Sequence, residues 1–413
     1  MSSNLKIAIV GGGVSGLIAA QCCERIGHQV HLFEKEDALG GRVQTDVEAG
    51  YLLDRGFQVL LDAYPLAKKY LDYDALQLKP FLPGALVMRN GKRSKLGDPL
   101  RDASFLIPTL FSEHATLSDK WKIFRLSQSL KQKSLAAIFS EPEQSTLQYL
   151  KSYGFSAKVI TRFFEPFFAG IFLEPRLSTS SRMFEFVYKM FSEGSAVIPK
   201  DGMGAISNYL ADQLTTTDVH LKTAVDHVDT GVLKLSDGTK VEVDAIILAT
   251  ASQALMPARG KEIAWKSCET FYFETEECEI TEPIIGLVPE KDALINTVHY
   301  PTQLQPSQKG QHHLLSVTVL KEHDLNEQEL HTRVLDDLKQ FCGITPTRLL
   351  KKYTIEKALP DLKSVAYEPD QEQIDLAPGI FAAGDVLLNG SLNAAMLAGE
   401  RAAERVFTFL KSS

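Results

Sequence analysis

The stretch Ile7-Ala8-Ile9-Val10-Gly11-Gly12-Gly13-Val14-Ser15-Gly16 decides how this chain is read. Four consecutive apolar residues make a strand buried on both faces, as in the middle of a parallel sheet. The glycines after it have the spacing GxGxxG. Gly11 permits a tight turn out of the strand, Gly13 lets the backbone approach a pyrophosphate, and Gly16 lets the next helix pack closely on the sheet. That helix, from Val14 toward a terminator at Gly27, aims the partly positive end of its backbone at the phosphates. Val14 and Ser15 are its first residues. A second strand, Val30 to Phe33, ends at Glu34, which can accept hydrogen bonds from both ribose hydroxyls and disfavours a 2′-phosphate. A lone GxGxxG is a weak signal. Strand, glycines, helix, strand and terminal acid in one unit specify a dinucleotide site.

The residues after the second strand separate NAD from FAD. The chain continues Glu34-Lys35-Glu36 and then Leu39-Gly40-Gly41-Arg42-Val43. Here it resembles the amine oxidase, phytoene desaturase and protoporphyrinogen oxidase superfamily of flavoproteins, which carry a similar acid and GGR after the second strand. The resemblance implies an FAD-dependent oxidoreductase with non-covalent FAD. It assigns Lys35, Gly41 and Arg42 to the cofactor, with Arg42 on the pyrophosphate, where a guanidinium fork suits phosphate oxygens. Leu53-Asp54-Arg55-Gly56-Phe57-Gln58 looks like the family's next element, a turn beside the flavin. Gly56 and Phe57 fall in it, and Gln58 reads either as a flavin-edge contact or as an ordinary polar residue.

Two later segments return to the same site. After Pro199-Lys200-Asp201-Gly202-Met203-Gly204 come a helix (Ala205 to Leu214), strands expected over His220 to Val225 and Val228 to Leu235, a turn at Asp237-Gly238, and the buried strand Ala245-Ile246-Ile247-Leu248-Ala249-Thr250. By resemblance Val225 contacts adenine through its backbone, and Ala249 and Thr250 border the dinucleotide. Near the C-terminus, Gly379 to Asp385 reads as a strand ending in a glycine–acid turn, and Gly390-Ser391-Leu392-Asn393-Ala394-Ala395 opens a helix. In the family this closing motif puts Gly384 and Asp385 on a ribityl hydroxyl or the pyrophosphate. Ser391, Leu392 and Ala395 fall at the flavin's pyrimidine edge, where a helix N-terminus stabilises negative charge.

The expected fold is therefore α/β. A Rossmann-like FAD-binding domain (1–58, 197–262 and 365–413) is interrupted by a discontinuous α+β substrate domain (59–196 and 263–364), a mixed sheet flanked by helices. Candidate helices in the first insertion are Tyr64 to Leu71, Leu117 to Phe139, Thr146 to Tyr153 and Ser156 to Phe168. The second insertion offers strands Thr270 to Thr275 and His313 to Leu320 and a helix Glu327 to Cys342. Phe163, Phe164, Phe167, Phe168 and Phe172 read as core or as the wall of an apolar cavity. His299 and Tyr300 read as cavity lining or a surface loop.

Composition excludes other classes. The 413 residues are 44% hydrophobic and 23% charged, ordinary for a globular chain, and the net charge of −8 argues against nucleic acid. Five cysteines without CxxC or Cys/His spacing suggest a reducing, cytoplasmic setting with no disulfide framework and no metal. No window reaches the length of a spanning helix. Residues 89–133 carry a local basic excess around the apolar piece Phe105 to Phe111, which reads as a peripheral lipid contact or as a solvated face. The oligomeric state is not legible.

No catalytic constellation stands out. In the family, amine oxidases have a tyrosine where this chain has Ser391, and no motif selects Lys266 or Lys321 as their strand lysine. The stretch Tyr353 to Pro360 resembles the desaturase and protoporphyrinogen oxidase branch, which favours dehydrogenation of a hydrophobic substrate by hydride transfer to flavin. A flavin amine oxidase is the alternative. An escort-type binding protein or a sugar mutase of the same fold is the other.

Overall fold

The computed structural model describes residues 5–97, 116–256, 262–305 and 310–412. Its organising element is a six-stranded sheet. The strand order is Asp218–His220, Gln29–Phe33, Lys6–Val10, Ala245–Leu248, Ile380–Ala382 and Asp375–Ala377. The first five run parallel and the last is antiparallel. Alternation along the central strand explains why both faces are covered. Ile7 and Ile9 pack with Leu17 and Ile18 of the Val14–Glu24 helix and with the Leu392–Ser412 helix. Ala8 and Val10 face the other way, toward Val228 and Leu233. Those two belong to a three-stranded meander, Val225–Asp229, Val232–Leu235 and Lys240–Glu242.

A seven-stranded mixed sheet stands apart. Its order is Arg348–Pro360, Trp265–Thr275, His313–Val319, Ile295–His299, Ile285–Leu287, Gly84–Arg89 and Lys92–Gly97. Only the pairing of Ile285–Leu287 with Gly84–Arg89 is parallel.

Several elements differ from expectation, each for a local reason. The meander turns at Thr230-Gly231, with Gly231 at φ +75°, rather than between a strand over 220–225 and another over 228–235. The helix expected over 117–139 stops at Gln132, because the Ser134 hydroxyl accepts from the Ala137 N–H and caps a new helix, Leu135–Ser140. The helix expected over 156–168 passes through a wide turn, Ile160–Phe164, into Glu165–Phe172; Pro166 has no N–H for the regular ladder. The first insertion is not wholly helical, since its Gly84–Gly97 hairpin completes the large sheet. The helix over 327–342 likewise ends in a wide turn, Leu338–Cys342.

Phe164, Phe168 and Phe172 are core, with Phe163 and Phe167 half-buried against them. His299 and Tyr300 are not a surface loop: both are buried, and His299 ends a sheet strand. In the basic segment, Arg89 pairs with Glu290, Lys95 with Glu282 and Lys133 with Glu185. Its apolar piece, Phe105 to Phe111, lies outside the described residues. No helix among the described residues is long and apolar enough to cross a membrane.

Candidate functional site

The C-terminal ends of the parallel strands carry the site. Gly11 leaves the first strand at φ +106°, and a Cβ there would meet the Ala249 carbonyl oxygen at 2.8 Å. A Cβ on Gly16 would sit 2.0 Å from the Gly11 oxygen, so only hydrogen lets the helix close on the turn. Gly13 is different. Its backbone is extended (φ −75°, ψ 178°), and an added Cβ would find nothing nearer than the Gly41 Cα at 3.9 Å. Open space therefore lies over the start of the Val14–Glu24 helix. No side chain caps that helix and no acid lies in its first turn.

Glu34 is 8% exposed, and its carboxylate is already aimed. Oε2 accepts from the Gly12 N–H at 2.7 Å and Oε1 from the Glu36 N–H at 3.0 Å. Each oxygen keeps a further lone pair for a hydroxyl donor. Lys35 turns the other way, pairing with Glu36 in solvent. The second glycine loop lies on the first: the Gly40 N–H donates to the Gly12 oxygen at 2.8 Å, and Gly41 (φ +59°) stacks its Cα against Gly13.

Arg42 is the next residue and joins distant parts of the chain. Its guanidinium donates to Asp385 Oδ1 at 2.5 Å and to the Ala358 carbonyl at 3.1 Å, and lies 5.2 Å from the centroid of the Trp265 ring. Gln58 holds this loop from behind, donating Nε2 to the Arg42 carbonyl at 2.8 Å and to that of Arg55 at 3.2 Å. That engagement gives Gln58 a structural role in the loop. Gly56 turns at φ +92°, and the Phe57 ring next to it lies 4.3 Å from His299 and 6.2 Å from Phe81, centroid to centroid.

Ala249 and Thr250 come directly after the fourth strand of the sheet, with the Ala249 N–H on the Val10 carbonyl. Gly384 (φ +130°) turns the chain so that Asp385, 6% exposed, faces Arg42. Ser391 caps the last helix, accepting from the Ala394 N–H at 3.0 Å while donating to Asn389. Leu392 is that helix's first residue, and the Ala395 carbonyl accepts from the Ser15 hydroxyl, tying the first helix to the last. Val225 opens the meander opposite Leu235. Trp265 and the Ala358 carbonyl are partners of Arg42 that no motif announced.

The flavin-containing amine oxidoreductase family model matches residues 14–407. The chain belongs to that family. Its members are FAD-dependent oxidoreductases, and FAD is the cofactor. The chain is 49% identical over 57 residues to 4,4'-diapolycopen-4-al dehydrogenase of Metabacillus indicus, covering 14% of this chain and 12% of that one. It is 27% identical over 168 residues to protoporphyrinogen oxidase 2, chloroplastic/mitochondrial, of Arabidopsis thaliana, covering 41% and 32%. The matched stretches thus span well under half of these relatives. A crystal structure of a putative protoporphyrinogen oxidase from Exiguobacterium sp. 255-15 superposes with a TM-score of 0.73 at 19% identity over 99% of each chain, which shows the shared fold.

The residues present fit FAD. An uncapped helix start with open space above it, a fixed carboxylate at the second strand and an arginine beside a buried aspartate are the donor set a dinucleotide requires.

Proposed function

We propose that this protein dehydrogenates a hydrophobic, unsaturated substrate by hydride transfer to flavin. The carrying observation is the ring cluster beside the Gly56 turn. Phe57, Phe81 and His299 pack together there, and burial pushes the His299 imidazole down to about 3, so it stays neutral at working pH. The three rings offer flat apolar surface, and none of them carries a charge that would pair with an amine cation. Two further features support the reading. Ser391 stands where amine oxidases carry a tyrosine, and the Lys266 ammonium is engaged by the Thr179 hydroxyl at 3.2 Å and by Asp361 at 3.5 Å. The relatives named for diapolycopenal dehydrogenation and protoporphyrinogen oxidation have substrates of this kind.

Each part of the chain then takes a role. Glu34 takes the ribose hydroxyls. The amides at Gly13, Val14 and Ser15, with Gly41 and Arg42, hold the pyrophosphate; Ala249 and Thr250 border it. Asp385, at the Gly384 turn, would accept from a ribityl hydroxyl of bound FAD, and the amides from Leu392 would serve its pyrimidine edge. FAD supplies the hydride acceptor; the protein supplies position and electrostatics. Phe57, half-buried beside the Gly56 turn, would meet the substrate, with Phe81 and His299 buried behind it.

The purified protein is expected to be yellow and to release free FAD on denaturation. Under anaerobic mixing, polyenes or porphyrinogens should bleach the flavin bands and amines should not. Bleaching by amines alone would overturn the substrate class, and a colourless protein unable to take up FAD would overturn the whole reading.

A peripheral lipid contact is a second proposal. Leu117, Trp121 and Phe124 share one face of the Leu117–Gln132 helix and are 75%, 56% and 45% exposed, with Lys120, Lys122 and Arg125 interleaved. The full chain should co-sediment with vesicles containing anionic lipid and not with neutral ones. Trp121→Ser with Phe124→Ser should abolish that binding, and unchanged binding would sink the proposal.

A further inference from the structure

The edge of the six-stranded sheet brings three ligating side chains to one point that the cofactor reading does not use. His31 lies in the Gln29–Phe33 strand, and Asp218 and His220 bound the parallel edge strand beside it. Residues two apart on a strand share a face, so Asp218 and His220 both turn toward His31. Their donor atoms make a nearly equilateral triangle. His31 Nδ1 is 3.2 Å from His220 Nε2 and 3.4 Å from Asp218 Oδ2, and His220 Nε2 is 3.2 Å from Asp218 Oδ2.

Hydrogen bonds alone do not account for all three edges. With one proton shared between the two ring nitrogens, at least one edge sets lone pair against lone pair. With a proton on each, two N–H groups face one another. A cation satisfies all three edges at once. A tetrahedral ion with ligands at about 2.0–2.1 Å separates its donor atoms by about 3.3–3.4 Å, whereas octahedral geometry at similar bond lengths brings them to about 3.0 Å. The triangle therefore matches three corners of a tetrahedron. Two imidazole nitrogens and one carboxylate oxygen are a donor set for zinc rather than for calcium or magnesium, which prefer oxygen throughout. The side chains are 17%, 33% and 59% exposed for His31, His220 and Asp218, so the ion can enter from solvent and keep water as its fourth ligand.

We propose that His31, Asp218 and His220 form a zinc-class site that staples the edge strand to its neighbour. The staple acts on the backbone that carries Glu34. The Glu34 N–H donates to the His220 carbonyl, and the Glu34 carbonyl accepts from the Thr223 N–H. The expectation of no metal rested on cysteine spacing; these ligands instead come from strands whose histidines lie 189 residues apart in sequence.

The test uses the untagged full chain, stripped with a chelator and then titrated with Co²⁺ as a spectroscopic probe and with Zn²⁺ by calorimetry. One equivalent of Co²⁺ should give the visible difference bands of a tetrahedral site, and Zn²⁺ should displace it. Zn²⁺ should also raise the unfolding temperature, because it binds the folded state. Asp218→Asn and His220→Gln should each weaken binding at least about tenfold and remove the thermal shift. Asp218 is exposed, so its variant keeps the fold, as circular dichroism and retained flavin would verify. Absence of tetrahedral bands, or equal binding by wild type and both variants, overturns the proposal.

Discussion

Gly13→Ala is the substitution that separates the fold from the cofactor site. The Gly13 backbone at φ −75°, ψ 178° is available to alanine without strain, and the new Cβ would meet no protein atom nearer than 3.9 Å. Replacing the N-cap glycine by alanine costs about 0.5–1 kcal/mol, offset by about 0.4–1 kcal/mol from the less flexible unfolded chain. The apoprotein should therefore melt within about 2 °C of wild type. The methyl would instead occupy the space through which a phosphate reaches the helix amides. Displacing it removes one charge-assisted hydrogen bond at about 1.5–3 kcal/mol. FAD affinity should fall about 10- to 150-fold. Titration of apoprotein followed by flavin fluorescence gives the affinity, and a thermal melt without FAD gives the stability. Gly16→Ala is the contrast, because its Cβ would lie 2.0 Å from the Gly11 oxygen. It should cost at least about 1–3 kcal/mol in the apoprotein itself. Wild-type FAD affinity in Gly13→Ala, or a stability loss equal to that of Gly16→Ala, refutes the assignment of this space to phosphate.

Three further outcomes are expected. Arg42→Ala leaves the buried Asp385 carboxylate without its guanidinium and should destabilise the apoprotein by about 1–3 kcal/mol; Arg42→Lys should fall between the two in FAD affinity, and equal affinity for lysine and arginine would remove the argument from fork geometry. Burial pushes the Asp54 carboxyl from 3.8 up to about 6 despite hydrogen bonds from Thr45 and the Met203 N–H. Its contribution is complete below about pH 4 and lost as pH rises through 6, about 3 kcal/mol in total; chemical denaturation at a series of pH values should show this step in the difference between wild type and Asp54→Asn, and the absence of a step in that difference would refute it. His299→Phe should keep FAD and leave the shape of the reduction-rate profile between pH 5 and 8 unchanged, since the imidazole is neutral throughout, while altering KM; an inflection lost with the histidine would contradict its neutrality.

The legible parts of this chain are those where backbone geometry forces residue identity. Gly11 and Gly16 are required by a turn and a close approach that no Cβ survives, and both approaches are in the structure. Glu34 stands where the second strand ends and Ser391 where the last helix starts, and each carries backbone hydrogen bonds that its residue type predicts. Elsewhere sequence spacing fails because the contacts are long-range. Nothing near Arg42 reveals that Trp265 covers its guanidinium. The strand Arg348–Pro360 buries only Pro360 fully and has no regular alternation of exposure, so periodicity does not reveal it. The Ser181–Glu193 helix carries Phe184, Phe186 and Val187, residues with strand propensity, which mask its Ser180 cap and apolar stripe in a reading by residue type. His31 and His220 look like ordinary strand histidines until parallel pairing sets them side by side.

Arg42 is where the two sheets are coupled. Its guanidinium reaches Asp385 at the end of the parallel sheet and the Ala358 carbonyl in the long strand of the mixed sheet, under the Trp265 ring of the strand paired with it. Trp265 stands opposite Pro360 in that pairing, and a Cβ on Gly390 would press on Leu359 and Pro360 at 3.2 Å. The Ala358-Leu359-Pro360 run thus packs the edge strand of the mixed sheet against the turn that precedes the closing helix. Hydride transfer is sensitive to small changes in donor–acceptor distance. If the proposed hydride transfer runs between a substrate held by one sheet and FAD held by the other, Arg42 would be a joint that fixes their distance. An arginine would offer five donors on a planar fork to a carboxylate, a carbonyl and a phosphate; lysine offers three donors from one point, without the paired geometry that suits a carboxylate or phosphate.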